Sequence, residues 1–295
     1  MNLKRNLSMI VTAIGALLVV LLGIPAHAEP AMWVVKGPHS TVYLFGSVHV
    51  LQKDRAWRTP KIDEAIKKSD QLWLELTDAD DAKVMQPLIA ELGVDMAHPL
   101  STKLTKDQVA KLDEVAKKAG IPGGEPSLEP LRPWMASLAV SMAPMVKAGY
   151  DPASGVEQVL KPEFAGPGKS VHGLETASQQ LHFFSDLPQK QEVEYLDSTL
   201  QDFDKATERM KTLVDAWYAG DVAKLNELMN GEFREKYPEL SRKLLTSRNE
   251  SWIPQIEKLL KGDGVSFLAV GAGHLTGTDG VPALLEKAGY KVERQ

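Results

Sequence analysis

The sequence predicts an α/β or α+β fold, in which a central mixed sheet carries its functional side chains at the strand ends and a substantial helical layer or cap covers it. Strand-forming segments occur near both ends of the chain, and long helical segments separate them. Two of the strand segments also run into the same pattern, Gly46-Ser47-Val48-His49 and Gly271-Ala272-Gly273-His274. Glycine lets the backbone turn sharply, so the polar side chain that follows is presented where the strand ends.

Five segments are predicted as strands from their β-branched and aromatic content, and a sixth is a weaker candidate. The five are residues 33–36, 41–45, 72–76, 170–172 and 265–270, and the sixth is residues 291–293. The first two flank the turn sequence Gly37-Pro38-His39-Ser40, which predicts a hairpin. Residues 268–270 are too apolar for an edge strand, so the fifth strand is predicted in the middle of the sheet.

Helices are predicted from capping residues and from periodic apolar positions. Pro60 follows Thr59 in the first turn of one helix, and Thr105 with Gln108 forms a capping box ahead of another. Residues 130–147 and 192–219 each carry apolar residues at helical spacing and are each predicted as one helix. The longer segment has too few clean heptads for a coiled coil, which favours packing within the domain.

Residues 1–28 have the organisation of a secretory signal peptide. Lys4 and Arg5 precede an apolar stretch, and Pro25-Ala26-His27-Ala28 supplies a small-residue cleavage site. The apolar stretch is shorter than the roughly 20 residues of a membrane span, which favours cleavage over retention as an anchor. We therefore expect an exported protein, periplasmic or secreted, with one domain over residues 29–295 and helical insertions at about 79–165 and 176–262.

The composition limits the partners and the chemistry. The chain has a net charge of −5 and contains no cysteine. An acidic chain lacks the electrostatic surface that nucleic acid or anionic lipid requires, so neither nucleic acid nor, after signal cleavage, a membrane is expected as a partner. The absence of cysteine excludes disulfides, thiolate nucleophiles and soft metal ligands. The sequence gives no prediction of the oligomeric state.

Four predicted strands are followed by candidate functional residues: His49, Glu75, Glu175 and His274. In an open α/β sheet, ligands bind beyond the carboxyl ends of the strands. Two imidazoles and a carboxylate can hold a divalent cation and leave a position for water, whose pKa the metal would lower. We therefore predict His49, Glu75 and His274 as metal ligands, with Glu75 or Glu175 moving protons.

Each of these residues also has a structural interpretation. A single histidine at a strand end is usually an ordinary hydrogen-bonded residue. Alternation along the strand could turn Glu75 towards solvent, and the helix dipole alone could favour Glu175 where it stands. The pattern Gly271-x-Gly273-x-x-x-Gly277 imitates a dinucleotide-binding fingerprint, but no further sheet follows it to complete a nucleotide fold.

Arg248 and Asn249 are two further candidates. On a helix, Arg248 shares a face with Trp252, and Asn249 projects about 100° away. Arg248 could stabilise negative charge that develops near the metal, and Asn249 could act as an orienting hydrogen-bond donor. From spacing alone, an ordinary solvated helix face is the simpler interpretation.

Several segments match a known family in order and approximate spacing. They are residues 43–49, Leu74-Glu75-Leu76, Gly173-Leu174-Glu175-Thr176, Arg248-Asn249 with Trp252, and residues 270–277 with Asp279-Gly280-Val281. In these segments the chain resembles the TraB/GumN family, within a wider group that includes Tiki-type peptidases and, more distantly, erythromycin esterases. Gly155-Val156-Glu157 is similar to the family's Gly-hydrophobic-Asp segment, with glutamate in place of aspartate, and we assign Glu157 no role.

The resemblance implies an α/β fold with paired Gly-x-x-His motifs at a metal-dependent hydrolytic site. In Tiki-like members this activity is peptide cleavage supported by manganese or cobalt. Carried over residue by residue, the matching positions are the site residues His49, Glu75 and His274 and the supporting residues Glu175, Arg248 and Asn249.

The leading hypothesis is an exported, metal-dependent hydrolase, and a peptidase is the favoured kind. It would use a metal-activated water to cleave a peptide or another small substrate. The ligand types suit manganese, cobalt or zinc. The alternative is a non-catalytic periplasmic binding protein for a peptide, haem or a metal. Haem is included among these ligands because His49 or His274 could ligate iron.

Overall fold

A six-stranded sheet forms the centre of the structure, a computed structural model that describes residues 29–53 and 55–295. The predicted signal peptide, residues 1–28, lies outside the described residues. In chain order the strands are β1 (Met32–Lys36), β2 (His39–Ser47), β3 (Leu51–Gln52), β4 (Gln71–Leu74), β5 (Tyr150–Asp151), β6 (Ser170–Gly173), β7 (Asp263–Gly271) and β8 (Val292–Arg294). The central sheet has the order β6-β4-β7-β2-β1-β8, and β3 pairs with β5 separately.

The sheet is mixed, as the sequence predicts. Strand β1 is antiparallel to both of its neighbours, β2 and β8, whereas β2, β7, β4 and β6 are parallel. The predicted hairpin of β1 and β2 is confirmed, and so is the weaker sixth strand, β8. Strand β7 lies in the middle of the sheet, with Phe267 packed on one face and Leu268 on the other. Its near-continuous apolar sequence follows from burial on both faces.

Most of the helices lie in the two long segments between β4 and β6 and between β6 and β7, whereas the first helix lies between β3 and β4 and the last between β7 and β8. They are α1 (Pro60–Lys68), α2 (Ala82–Leu92), α3 (Lys106–Ala119), α4 (Pro133–Lys147), α5 (Val156–Leu160), α6 (Ala177–Ser185), α7 (Gln189–Asp202), α8 (Ala206–Tyr218), α9 (Val222–Asn226), α10 (Glu232–Lys236), α11 (Pro238–Ser241), α12 (Ser247–Lys261) and α13 (Val281–Lys287). Within residues 29–53 and 55–295, no helix has the length and apolar character needed to cross a membrane.

The predicted helix starts are confirmed by their caps. The Thr59 side chain accepts a hydrogen bond from the Ile62 N–H at the start of α1, and Pro60 follows in the first turn. At the start of α3, Thr105 and Gln108 form the full capping box, which satisfies two backbone donors reciprocally. Gly120 ends this helix with φ = 72°, a left-handed conformation that glycine adopts without strain.

Three apolar clusters hold the layers together. One packs α1 and α8 on one face of the sheet around Phe45 and Phe267, and a second packs α12 and α13 on the other face around Leu44 and Leu268. The third lies within the helical layer, among α3, α4 and α7. The helices therefore cover both faces of the sheet and form a further layer of their own.

The prediction of a single helix over residues 192–219 is wrong. The segment forms α7 and α8, and a 3₁₀ turn at Phe203–Lys205 separates them. The two parts pack on different clusters: Leu196 and Leu200 join the helical-layer cluster, and Val214 and Trp217 join the cluster on the sheet. The chain breaks its helix at the point where it passes from one cluster to the other.

Candidate active site

Four neighbouring parallel strands deliver their polar residues to the same edge of the sheet. Ser47 at the end of β2 pairs with Gly271 at the end of β7, and Leu74 of β4 pairs with Ala269 on one side and Gly173 on the other. The strands therefore end nearly level. His49, Glu75, Glu175 and His274, which follow these ends, all lie at this one edge.

Gly271 is the point at which the three predicted metal ligands meet. A Cβ atom on this residue would stand 3.1 Å from Oε1 of Glu75, 3.5 Å from Nε2 of His49 and 3.6 Å from Cδ2 of His274. A side chain here would press on Glu75, which would have to move by a few tenths of an ångström. The structure thus brings His49, Glu75 and His274 together across more than 200 residues of sequence.

His49 is oriented by a glutamate to which the sequence analysis assigned no role. Its Nδ1 lies 2.8 Å from Oε1 of Glu157, and the Ser47 hydroxyl donates to the same oxygen. A Cβ on Gly155 would stand 2.2 Å from the His49 carbonyl oxygen, so only glycine lets α5 approach the end of β2 this closely. The available signal was the Gly155-Val156-Glu157 segment, although sequence could not show that it packs on β2.

The charge of His49 follows from this contact. Partial loss of hydration against the surrounding protein would lower its pKa, but the charge and hydrogen bond of Glu157 and the charge of Glu75 outweigh that loss and raise the pKa to about 9. Without a metal, His49 is therefore cationic at neutral pH and donates from Nδ1 to Glu157. Its Nε2 faces the point in front of Gly271.

His274 is oriented in a similar way but is neutral. Burial is the main reason that its pKa falls to about 4. Its Nδ1 lies 2.6 Å from Oδ1 of Asn249, whose amide nitrogen donates to the Asp279 carbonyl oxygen at 2.9 Å. This second hydrogen bond fixes which amide atom faces the ring, so Nδ1–H donates to Asn249 and Nε2 carries the lone pair.

Arg248 lies beneath the site with all five of its N–H groups engaged. It donates to Glu175 from Nε at 2.9 Å and from Nη2 at 2.8 Å, and Nη2 also donates to Glu75. Nη1 reaches the Leu244 carbonyl oxygen at 3.2 Å and Nε2 of His274 at 3.1 Å. No donor is left over for a substrate, so this geometry supports a positioning role for Arg248.

Glu75 is held as a carboxylate. Its Oε1 accepts the Gly271 N–H at 2.8 Å, and Oε2 accepts from Gln180 at 3.1 Å as well as from Arg248. Burial alone would raise its pKa, but the charge that His274 gains below about pH 4, the charges of Arg248 and His49 and the Gly271 N–H outweigh burial and lower the pKa to about 2. The sequence offered no signal for Gln180, which reaches Glu75 from α6.

Glu175 has a different environment from Glu75. One of its oxygens accepts the indole N–H of Trp252 at 2.9 Å, and both oxygens accept from Arg248. It does not line the cleft that reaches Glu75. Glu175 therefore anchors Arg248, and Glu75 is the carboxylate that faces the cleft.

The donor atoms suit a divalent cation in their chemistry. Each imidazole is oriented through its other nitrogen, by Glu157 or by Asn249, as metal-binding histidines usually are. Among the described residues, however, no three or more His, Cys, Asp or Glu side chains are gathered so that they could hold a metal ion. Arg248 takes the lone pair of His274 that an ion would need. Metal binding by His49, Glu75 and His274 stays a prediction.

A cleft of about 350 Å³ opens over the site. His49, Glu75 and Glu157 line it, together with residues from the segment after β4, Pro152, α5 and Gln180 of α6. The His49 side chain is 64% exposed, whereas His274 is buried below it. A small molecule in the cleft therefore meets His49 and Glu75 first.

Comparison with known proteins identifies the family. The model of the TraB/PrgY/gumN family matches residues 31–294. The chain belongs to the TraB/PrgY/gumN family. Within this comparison, an uncharacterised protein of Treponema pallidum (strain Nichols) is 21% identical over 284 residues, which cover 89% of this chain and 82% of that protein. No solved structure matches.

The TraB/PrgY/gumN match confirms the resemblance that the motifs indicated. The matched range contains all four strand ends and Arg248. The matched relative is uncharacterised, so its similarity does not indicate a reaction for this chain. For this member of the TraB/PrgY/gumN family, the reaction has to be argued from the site.

The contact between His49 and Glu157 predicts a measurable pH dependence. We expect the His49 ring in metal-free protein to titrate near pH 9, and to return towards its ordinary value of 6.5 in Glu157→Gln. Because the folded pKa is raised, the contribution of this pair to stability is complete below pH 6.5 and is lost as the pH rises towards 9. NMR titration of the ring proton measures the pKa directly. An unchanged pKa in Glu157→Gln would contradict this account.

Proposed function

We propose that this chain is an exported, metal-dependent hydrolase that cleaves peptides with a water activated between His49, Glu75 and His274. The observation that supports it is the meeting of these three side chains at Gly271 under an open cleft. His49 and Glu75 line the cleft and His274 is buried beside them, and two oriented imidazoles with an ionised carboxylate are a typical set of groups for hydrolysis. Export is proposed from residues 1–28, which lie outside the described residues.

Glu75 is the residue that we propose to transfer protons in this reaction. Arg248 and the Gly271 N–H hold Glu75 as a carboxylate, so its Oε1 can accept a proton from the attacking water. The water oxygen bonds to the carbonyl carbon of the peptide, and the carbon–nitrogen bond breaks. The proton taken by Glu75 then passes to the leaving nitrogen, which departs as an amine. Glu157 and Asn249 fix the orientation of the two imidazoles through Nδ1.

A divalent ion would be held by His49, Glu75 and His274, and it would supply Lewis-acid activation of the water and the carbonyl. His49 and His274 would bind through Nε2, because Nδ1 is taken in both rings. His274 becomes available once Arg248 gives up its hydrogen bond to Nε2. Manganese, cobalt and zinc all suit this donor set.

The test combines metal content with peptide cleavage. Protein purified without chelator and exposed in turn to Mn²⁺, Co²⁺ and Zn²⁺ is expected to retain one of these ions after desalting, and to cleave members of a defined peptide mixture followed by mass spectrometry. His49→Ala and His274→Ala are expected to lose both properties. Elemental analysis gives the metal content of each sample.

His98→Ala is the matched control for His49→Ala. His98 is also exposed and also lies beside a carboxylate, at 3.2 Å from Asp95, but it is far from the strand ends. It is expected to keep wild-type metal content and cleavage. Equal metal content in wild type, His49→Ala and His274→Ala would overturn the proposed ligands, and cleavage that survives chelation would overturn the metal dependence.

A further inference from the structure

The cleft contains one fixed cation that the proposed reaction does not use. Lys161 follows Glu157 by four residues on α5 and its continuation, so both side chains lie on the same helix face. Four residues rise about 6 Å along a helix. Lys161 therefore stands one helical turn away from the glutamate that contacts His49.

The partner of Lys161 is an exposed and replaceable carboxylate. Nζ of Lys161 lies 2.8 Å from Oδ1 of Asp80, which also lines the cleft and belongs to the segment after β4. The Lys161 side chain is 19% exposed and is held in the wall, whereas that of Asp80 is 53% exposed. Asp80 can swing into solvent at little cost, because an ion pair with an exposed partner contributes little to stability.

Lys161 is the cation of the cleft that lies away from the reacting centre. Glu75, Glu157 and Asp80 are acidic, and Lys161 supplies the only ammonium or guanidinium group among the described residues that line the cleft. The imidazolium of His49 is also cationic, but Glu157 already pairs with it. Leu76, Ala79 and Pro152 add an apolar stretch of wall. A carboxylate in this cleft is therefore attracted to Lys161 as well as to His49, and the three acidic residues repel it.

We propose that Lys161 binds the C-terminal carboxylate of the substrate, so that this hydrolase removes one or two residues from the C-terminus of a peptide. The inference rests on the proposed hydrolytic function. An extended chain advances about 3.3–3.6 Å per residue, so a carboxylate on Lys161 places the bond one or two residues upstream beside His49 and Glu75. The substrate carboxylate replaces Asp80 on Lys161, and the apolar wall receives the departing side chain.

The test uses two peptides of identical sequence, one with a free C-terminal carboxylate and one with a C-terminal amide. Wild type is expected to show kcat/KM roughly 10- to 100-fold higher for the free acid, the range expected for one hydrogen bond to a charged group. Lys161→Gln should lose this preference, because its kcat/KM for the free acid falls towards its own value for the amide, and Lys161→Arg should retain it. Asp80→Asn should lower KM for the free acid, because the competing carboxylate is gone.

The outcomes separate the two proposals. Equal cleavage of both peptides by wild type would overturn the role of Lys161 and leave the hydrolase standing. Cleavage of neither peptide, together with a Lys161-dependent preference for the free acid in calorimetric binding, would overturn the hydrolase and keep carboxylate recognition. Neither cleavage nor a preference in binding would overturn both.

Discussion

Arg248→Met is expected to lower the free energy of unfolding by about 3–5 kcal/mol, the usual result of removing one partner from a buried charge network. Methionine keeps much of the length of the side chain, so packing against Trp252 largely remains. The charge is lost, and with it the hydrogen bonds to Glu75 and Glu175, which are both buried. Two uncompensated carboxylates then face each other in the interior. Urea unfolding of both proteins at neutral pH measures the difference.

Arg209→Met is the matched control. Arg209 also contacts two acidic residues, Asp202 and Glu232, but its side chain is 45% exposed. Water solvates the charges there, so this substitution is expected to cost less than about 1 kcal/mol. Similar losses in the two variants would show that the network under the site is no more important for stability than a surface ion pair.

Glu75→Gln is expected to reduce kcat for peptide cleavage by about 10²–10⁴, the range associated with loss of a group that transfers protons. Glutamine has nearly the same shape and can still accept the Gly271 N–H, so the local geometry is preserved. It cannot hold the proton of the attacking water. Because Glu75 is also a proposed metal ligand, kcat is compared at equal metal content, and the variant should then fail in the chemical step, which steady-state kinetics would show as a fall in kcat.

Glu175→Gln separates chemistry from stability. Glu75→Gln and Glu175→Gln each remove one of the two carboxylate charges that face Arg248, so similar losses in the free energy of unfolding are expected for the two variants. Only Glu75 lines the cleft, and Glu175→Gln should therefore reduce kcat far less. Equal losses of kcat would mean that Glu75 acts through Arg248 in the way that Glu175 does, without a direct part in the reaction.

The meeting of the strand ends could be predicted because it depends on local patterns. A strand followed by Gly-x-x-His ends where its glycine stands, and parallel neighbours present their ends at a common edge. The middle position of β7 followed from its apolar sequence alone, as its pairing with both β2 and β4 confirms. These features required no knowledge of distant packing.

The parts that could not be predicted depend on contacts between distant elements. Glu157 orients His49 because α5 packs against the end of β2, and Gln180 reaches Glu75 from α6. Neither contact leaves a periodic signal in the sequence. Stabilisation of developing negative charge by Arg248 stays a prediction, and all of its N–H groups already have acceptors. The sequence could not show how many acceptors surround that side chain.

The place of β7 in the sheet also has a consequence for the order in which the protein folds. Its partner β2 is synthesised more than 200 residues earlier, and Gly46 pairs with Val270. Until β7 emerges, β2 and β4 have no strand between them, and closing so long a loop is slow. A chain still in translation cannot bring the four strand ends together, so the edge of the sheet that carries His49, Glu75 and His274 forms only after β7 has been synthesised.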